Sequence, residues 1–252
     1  MKKTIVEVNH IVKRYKSGQG EQAVLKDVSL TMKEGEFVSI MGASGSGKST
    51  LLYAMSGLDR VSEGSVSIAG KSLQELNEKQ LSAFRLSHMG FVFQQSHMLK
   101  NLNLYDNILL PAALAHGKDR NASCRRVDEL MKQTGIYEQR SHAIHAVSGG
   151  QLQRAGICRA LINQPKILFA DEPTGALNSK ASREIMDIFT RLHREGCGIA
   201  LVTHDSKVSI RSERVLFMKD GEIQGELVLG AYDGNDKARE QLVTEQMIQY
   251  DL

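Results

Sequence analysis

Gly42-Ala43-Ser44-Gly45-Ser46-Gly47-Lys48-Ser49-Thr50 is the stretch that decides the fold. An apolar alternating run, Glu36-Phe37-Val38-Ser39-Ile40-Met41, leads into it, and a helical pattern, Leu51-Leu52-Tyr53-Ala54-Met55, leads out. Strand, glycine loop and helix in that order make a phosphate-binding loop. Gly42, Gly45 and Gly47 let the backbone curl its N–H groups inward, with no side chain to block phosphate oxygens. The helix opening near Lys48 adds unpaired N–H groups and the positive end of its dipole. Lys48 is placed to reach the β- and γ-phosphates and the Ser49 hydroxyl to ligate Mg²⁺, with Ser44 and Thr50 completing the cradle. A glycine-rich turn that binds nothing is the plainer reading, and the flanking strand and helix count against it.

Working outward, 252 residues suffice to bury a sizeable core. A formal net charge of +3 makes no case for nucleic acid. Cys124, Cys158 and Cys197 are scattered, with no CxxC pair, and read as reduced core thiols of a cytoplasmic protein. His142 and His145 sit three apart but lack the carboxylate or cysteine company of a metal site. Lys2 and Lys3 begin like a signal peptide, yet no sustained apolar segment follows, and no run approaches bilayer-spanning length. If the protein works at a membrane, another chain supplies the spanning helices.

Before the glycine loop the pattern predicts strands at Thr4–Val8, Ala23–Leu25 and Val28–Met32, with a polar loop at Lys16–Gln22. After the first helix and a turn at Ser62-Glu63-Gly64 come a strand at Ser65–Gly70, a helix at Gln80–Ser87 and a buried strand at Met89–Phe93. Helical signals at Leu104–His116, Cys124–Thr134 and Gln151–Ile162 read as an insertion. A strand at Lys166–Ala170, a helix at Ser179–Arg194, a strand at Gly198–Thr203 and a hairpin over Arg214–Ile223 follow. The tail carries a helix at Lys237–Tyr250 with Leu242, Val243, Met247 and Ile248 on one face, expected to dock on the body.

Two further stretches carry chemistry. Ile167-Leu168-Phe169-Ala170 delivers Asp171 and Glu172 at a strand's C-terminal end, where α/β sheets hold their ligands. Asp171 is suited to hold Mg²⁺ and Glu172 to polarise a water beyond the γ-phosphate. Ser148-Gly149-Gly150-Gln151 opens a helix with a hydroxyl, bare amides and a dipole aimed at negative charge, a second anion cradle. A helix cap explains Ser148 alone but not the glycines and Gln151 beside it. A chain with two cradles can close with a second copy head-to-tail, each lending its second cradle to the other's nucleotide.

Gly42 to Ser49, Ser148 to Gln151, Leu168 to Glu172 and His204 together resemble, in order and spacing, the ATP-binding subunits of ABC transporters. The resemblance runs from about Val6 to Ile223. It implies an α/β fold: a P-loop NTPase with a RecA-like core, an antiparallel β-subdomain and a helical subdomain over about 96–164. The ATPase domain would span 4–227, with a tail over 228–252. It further implies that Tyr15 stacks on adenine, that Gln94 touches Mg²⁺ and the attacking water, and that Ser148 and Gly150 contact the γ-phosphate in trans. His204 matches the switch histidine that bonds the γ-phosphate and steadies Glu172. The chain departs from the family in having Val147 where Leu is usual, Asn178 where Asp is usual, and no proline in His142–Ala146. Pro173–Ser179 and Ile108–Pro111 look like the macrolide-exporter and lipoprotein-release branch, and Asn178 with Leu227–Gly230 looks closest to bacitracin-type peptide-antibiotic transporters.

Such a subunit would use ATP and Mg²⁺, pair with a second copy and drive a separate permease from the cytoplasmic face of the membrane, without nucleic acid. Two rivals stand beside it. A chromosome or DNA-repair ATPase needs a long coiled coil between glycine loop and signature, and the Gln94 to Ser148 interval shows no sustained heptads. A regulator or scaffold acting with a cell-division or sensor-kinase partner would carry the same nucleotide site.

Overall fold

In the computed structural model, which describes residues 2–18, 20–115 and 119–252, the first half of the predicted strand region is one long hairpin. β1 (Thr4–Ser17) and β2 (Gly20–Lys33) pair antiparallel, where the sequence suggested short strands and a polar loop at 16–22. The strands run through most of that expected loop, whose Gln19 lies outside the described residues. Bulges hide the continuity. His10 (φ 49°) and Asp27 (φ 58°) interrupt the register, and their side chains meet at 2.7 Å. Each bulge shifts the two-residue alternation by one, so a periodicity reading loses the strand there.

Met41 and its neighbours form β3 (Phe37–Met41), buried at every position, and the glycine loop joins it to α1 (Lys48–Met55). β4 (Glu63–Ile68) and β5 (Lys71–Ser72) complete a four-stranded antiparallel sheet in the order β2-β1-β4-β5. β4 ends two residues before the predicted limit, because Ala69 and Gly70 form a turn with left-handed backbone. α2 (Glu78–His88), capped by a reciprocal Asn77–Gln80 box, leads into β6 (Met89–Phe93).

Three helices follow. They are α3 (Leu104–Leu114), α4 (Arg120–Gln133) and α5 (Gly149–Leu161). The predicted end of α3, His116, lies outside the described residues. α5 starts two residues earlier than the periodicity suggested, because Ser148 caps it and Gly149 and Gly150 are its first helical positions.

The remaining elements are β7 (Ile167–Asp171), α6 (Ser179–Arg194), β8 (Gly198–Thr203), the single turn α7 (Ser206–Ser209), β9 (Arg214–Lys219) and β10 (Glu222–Val228). The central sheet has the order β10-β9-β3-β8-β7-β6, with β10 antiparallel to β9 and the other neighbours parallel. Its inner strands read as solid apolar runs because both faces are covered. Ile167, Phe169, Ala200 and Val202 point towards α1 and the antiparallel sheet, while Leu168, Ala170, Ile199 and Leu201 point towards α3–α6.

The C-terminal helix α8 (Asp236–Gln249) docks on β9, as expected, but by a narrower stripe. Arg239, Val243, Met247 and Tyr250 recur at three- to four-residue intervals, and Val243 is fully buried. Leu242 and Ile248 are exposed, which corrects their placement on the docking face. They fall about 100° and 140° away from Val243 on the helix wheel, too far round to share its contact. Arg239, itself buried, donates to the carbonyls of Ile210, Ser212, Leu229, Gly230 and Ala231 and so fastens the helix to the segments after α7 and β10.

Candidate active site

Strand register brings the quoted residues to one edge. Met41 lies beside Thr203, Asp171 beside Val202 and Phe93 beside Asp171, so the loop after 41, Glu172, His204 and Gln94 all leave the sheet at its C-terminal side. The loop itself is tightly enclosed. A Cβ on Gly42 would overlap the Met218 carbonyl oxygen, and Gly47 (φ 100°) is pressed against Met218 and the Val24 carbonyl. The turn between β9 and β10 holds the loop from below, Gly221 donating its N–H to the Ser46 carbonyl at 3.0 Å. The buried Ser46 hydroxyl has no hydrogen-bond partner among the described residues.

Lys48 is buried, and its Nζ donates to the Ala43 carbonyl at 2.7 Å. Burial holds its ammonium below the usual lysine range, against the pull of Glu172 and Asp171 in the other direction. Ser49 donates to Asp171 Oδ1 at 2.8 Å, and Tyr53, one helical turn on, donates to Oδ2 at 2.6 Å. Burial, and then the neighbouring Asp171, push the Tyr53 phenol well above its ordinary range, so it stays a donor. Thr50 neighbours the Tyr15 hydroxyl at the start of the same helix.

Glu172 adopts φ 44°, a left-handed conformation uncommon for a residue with a side chain. It is fixed on both sides: its N–H donates to the Val202 carbonyl at 3.0 Å, and its carbonyl accepts from Gly175 at 3.1 Å. Its Oε1 lies 3.1 Å from His204 Nδ1, with the ring largely exposed. Gln94 reaches the same point. A Cβ on Gly175 would come within 2.8 Å of Gln94 Nε2 and 3.2 Å of Glu172 Oε2. Glu172 and His204 open on a cavity of about 570 Å³ that runs to Asp236 and Glu240 of α8.

Ser148–Gln151 is placed differently. Ser148 Oγ accepts from the Gln151 N–H at 3.3 Å and Gln151 Oε1 from the Ser148 N–H at 2.8 Å, a closed capping box. Gly149 and Gly150 pack near Leu177 and Ala181. Among the described residues no hydrogen bond joins this corner to the loop at 42–50 of the same chain. Asn178, the departure noted above, caps α6 by accepting from the Ala181 N–H at 2.9 Å.

Sequence reading missed several residues that the structure brings in. Tyr53 had a usable signal, its i+4 spacing from Ser49 on a helix. Lys13 and Asp59, which hold Tyr15, had none. Nor did Gln153 and Arg159 of α5. Gln153 Nε2 donates to the Phe93 carbonyl at 3.0 Å, and Arg159 to those of Ser96 and His97, tying the Gln94 loop to the helix that Ser148 caps.

Ser49 and Asp171 offer a hydroxyl and a carboxylate, hard oxygen donors suited to Mg²⁺. No group of three or more His, Cys, Asp or Glu able to hold a metal occurs among the described residues.

The family model for ABC transporters matches residues 25–175, from β2 to the turn after Glu172. The chain belongs to the ABC transporter family. As an ATP-binding subunit of that family it hydrolyses ATP. It is 42% identical over 90% of its length to the bacitracin export ATP-binding protein BceA of Halalkalibacterium halodurans, covering 89% of that protein. It is 40% identical over 88% of its length to the macrolide export ATP-binding/permease protein MacB of Hahella chejuensis, but spans only 34% of it. A dimeric ATP-binding cassette solved in a post-hydrolysis state with ADP and phosphate superposes with a TM-score of 0.84 at 38% identity, over 90% of this chain and 100% of that one. No helix among the described residues is long and apolar enough to cross a membrane.

Proposed function

We propose that two copies of this ABC subunit close head-to-tail around two molecules of ATP·Mg²⁺ and so drive a separate permease at the cytoplasmic face of a membrane. The observation that carries this is the meeting of two pairs behind one glycine loop: Ser49 with Asp171 at 2.8 Å, and Glu172 with His204 at 3.1 Å. The dimeric structural neighbour supports the pairing of copies.

In this reading the N–H groups of Ser44 to Thr50 enclose the phosphates, and Lys48 exchanges the Ala43 carbonyl for phosphate oxygens. Ser49 and Asp171 would hold Mg²⁺, which would supply charge neutralisation to the phosphates. Gln94 and Glu172 orient a water in line with the γ-phosphate, and His204 keeps Glu172 in place. The partner's Ser148–Gln151 corner closes over the γ-phosphate with its N–H groups and dipole. When the γ-phosphate leaves, that bridge is lost and the copies separate.

Tyr53→Phe tests the metal assignment. Removing one of two hydroxyl donors to Asp171 should raise the Mg²⁺ concentration for half-maximal hydrolysis about ten-fold. An unchanged Mg²⁺ titration would count against Asp171 as the ligand.

Similarity to BceA over nearly its whole length supports a peptide antibiotic as the permease's substrate class. The relatives are export ATPases, which favours a transporter over a kinase-linked regulator. The segment from Gln94 to Tyr105 is the surface for the permease. Buried Asn107 braces it by accepting from the Leu99 N–H and donating to the carbonyls of Leu99, Leu102 and Asn103, which leaves the Leu99 side chain exposed. Leu99→Ser with Leu102→Ser should keep ATP hydrolysis in the isolated protein and abolish co-purification of the permease. Normal complex formation would remove this surface from the account.

A further inference from the structure

The stacking role of Tyr15, read above from resemblance alone, has a support that resemblance did not supply. Tyr15 stands on β1 and is 42% exposed. Its hydroxyl donates to Asp59 Oδ2 at 2.5 Å, and Lys13, two residues earlier, donates to Asp59 Oδ1 at 2.5 Å. The Lys13 ammonium, nearly buried, also donates to the Arg60 carbonyl at 2.6 Å and lies 4.8 Å from the centre of the Tyr15 ring. Asp59 is fixed in turn, its N–H donating at 3.1 Å to the carbonyl of Tyr53, the residue whose hydroxyl holds Asp171. A single helix end thus sets the distance between the ring and the carboxylate that faces the phosphates.

We propose that Lys13 and Asp59 are positioning residues for the nucleotide base, locking the Tyr15 ring with an ammonium on one face and the other face free for a purine. The proposal rests on Tyr15 being the stacking residue and adds what makes the ring competent. A side chain fixed before binding loses little rotamer freedom when the base arrives. A cation behind the ring draws electron density from it, which favours an electron-rich purine on the opposite face. Both oxygens of Asp59 are used inside the cluster. Burial opposes its charge, yet the bonds from Lys13 and Tyr15 keep the carboxyl below its usual range, and burial with Asp59 pushes the Tyr15 phenol up to about 12. Asp59 therefore stays ionised and the Tyr15 hydroxyl stays a donor across the pH range in which the enzyme would be assayed.

Steady-state ATP hydrolysis by the full chain tests this through the split between KM and kcat. Lys13→Met should raise KM for ATP about three- to ten-fold while kcat changes less than about two-fold, and Lys13→Arg should restore most of the loss. Added to Tyr15→Leu, Lys13→Met should raise KM no further, because its effect passes through the ring. An equal rise with and without the tyrosine, or a fall in kcat in place of a rise in KM, overturns the proposal. So does a Tyr15→Leu effect with no Lys13→Met effect, which leaves the stacking reading standing. No effect of Tyr15→Leu itself removes the stacking reading and the proposal with it. Should Lys13→Met fail to fold, Tyr15→Phe releases the ring from Asp59 at a surface position, and an unchanged KM in that variant overturns the proposal.

Discussion

Glu172→Gln is expected to bind ATP, to hydrolyse it about 100- to 10,000-fold more slowly than the parent, and to accumulate as a dimer. The amide keeps the size of the carboxylate and much of its hydrogen bonding to His204, so the left-handed turn at 172 and the bond to Val202 are undisturbed. It can no longer polarise water. Every group proposed to bind phosphate, including Lys48 and the N–H groups of the loop, is untouched, so closure should proceed and only the step that undoes it should be slowed. Size-exclusion chromatography with ATP and Mg²⁺, run beside a hydrolysis assay, reads both outcomes. A variant that hydrolyses ATP at the parental rate while remaining monomeric would remove Glu172 from its role.

Ser148→Asp should also abolish hydrolysis, by about 100-fold or more, for a different reason. Ser148 in one copy is an N-cap locked in a box with Gln151. Asp is as good an N-cap as Ser, so α5 should hold and the melting temperature should move little. A carboxylate facing the partner's γ-phosphate, however, repels what the serine would receive. Each isolated copy should still bind ATP at its own glycine loop, and pairing on ATP should be lost. Replacement by Asp thus separates a cap from a cradle. If the Asp variant pairs and hydrolyses normally, Ser148 does nothing but start its helix.

Much of this arrangement is legible in the residues because it rests on local rules. β8 and α6 have the bounds that their apolar runs suggest, and the glycine loop sits between the strand and helix its neighbours imply. Asp171 and Glu172 could be placed because a parallel sheet aligns its strand ends, a property of topology that the loop motif already implies. What escaped was tertiary. Bulges at His10 and Asp27 erased the alternation of a hairpin whose two strands are fourteen residues each. The docking stripe of α8 includes a buried arginine, which a search for apolar residues passes over, so Leu242 and Ile248 were placed inward in error. Lys13 and Asp59 lie 46 residues apart and meet only in the folded chain. Asn178 serves as a helix cap, for which amide and carboxylate are equivalent.

Head-to-tail closure requires one molecule's nucleotide to reach its twin's Ser148 corner, and a cross-label reads that directly. Lys48→Ala protein grown on heavy isotopes, unable to hold nucleotide, is mixed with light Glu172→Gln protein and an ATP analogue carrying a photoreactive group on its γ-phosphate. After illumination and trypsin, the peptide Ser141–Arg154 is examined by mass. Label on the heavy form of that peptide is the predicted result, since it can come only from a nucleotide held by the other copy. Label confined to light chains, with the heavy peptide clean, would contradict the head-to-tail clamp.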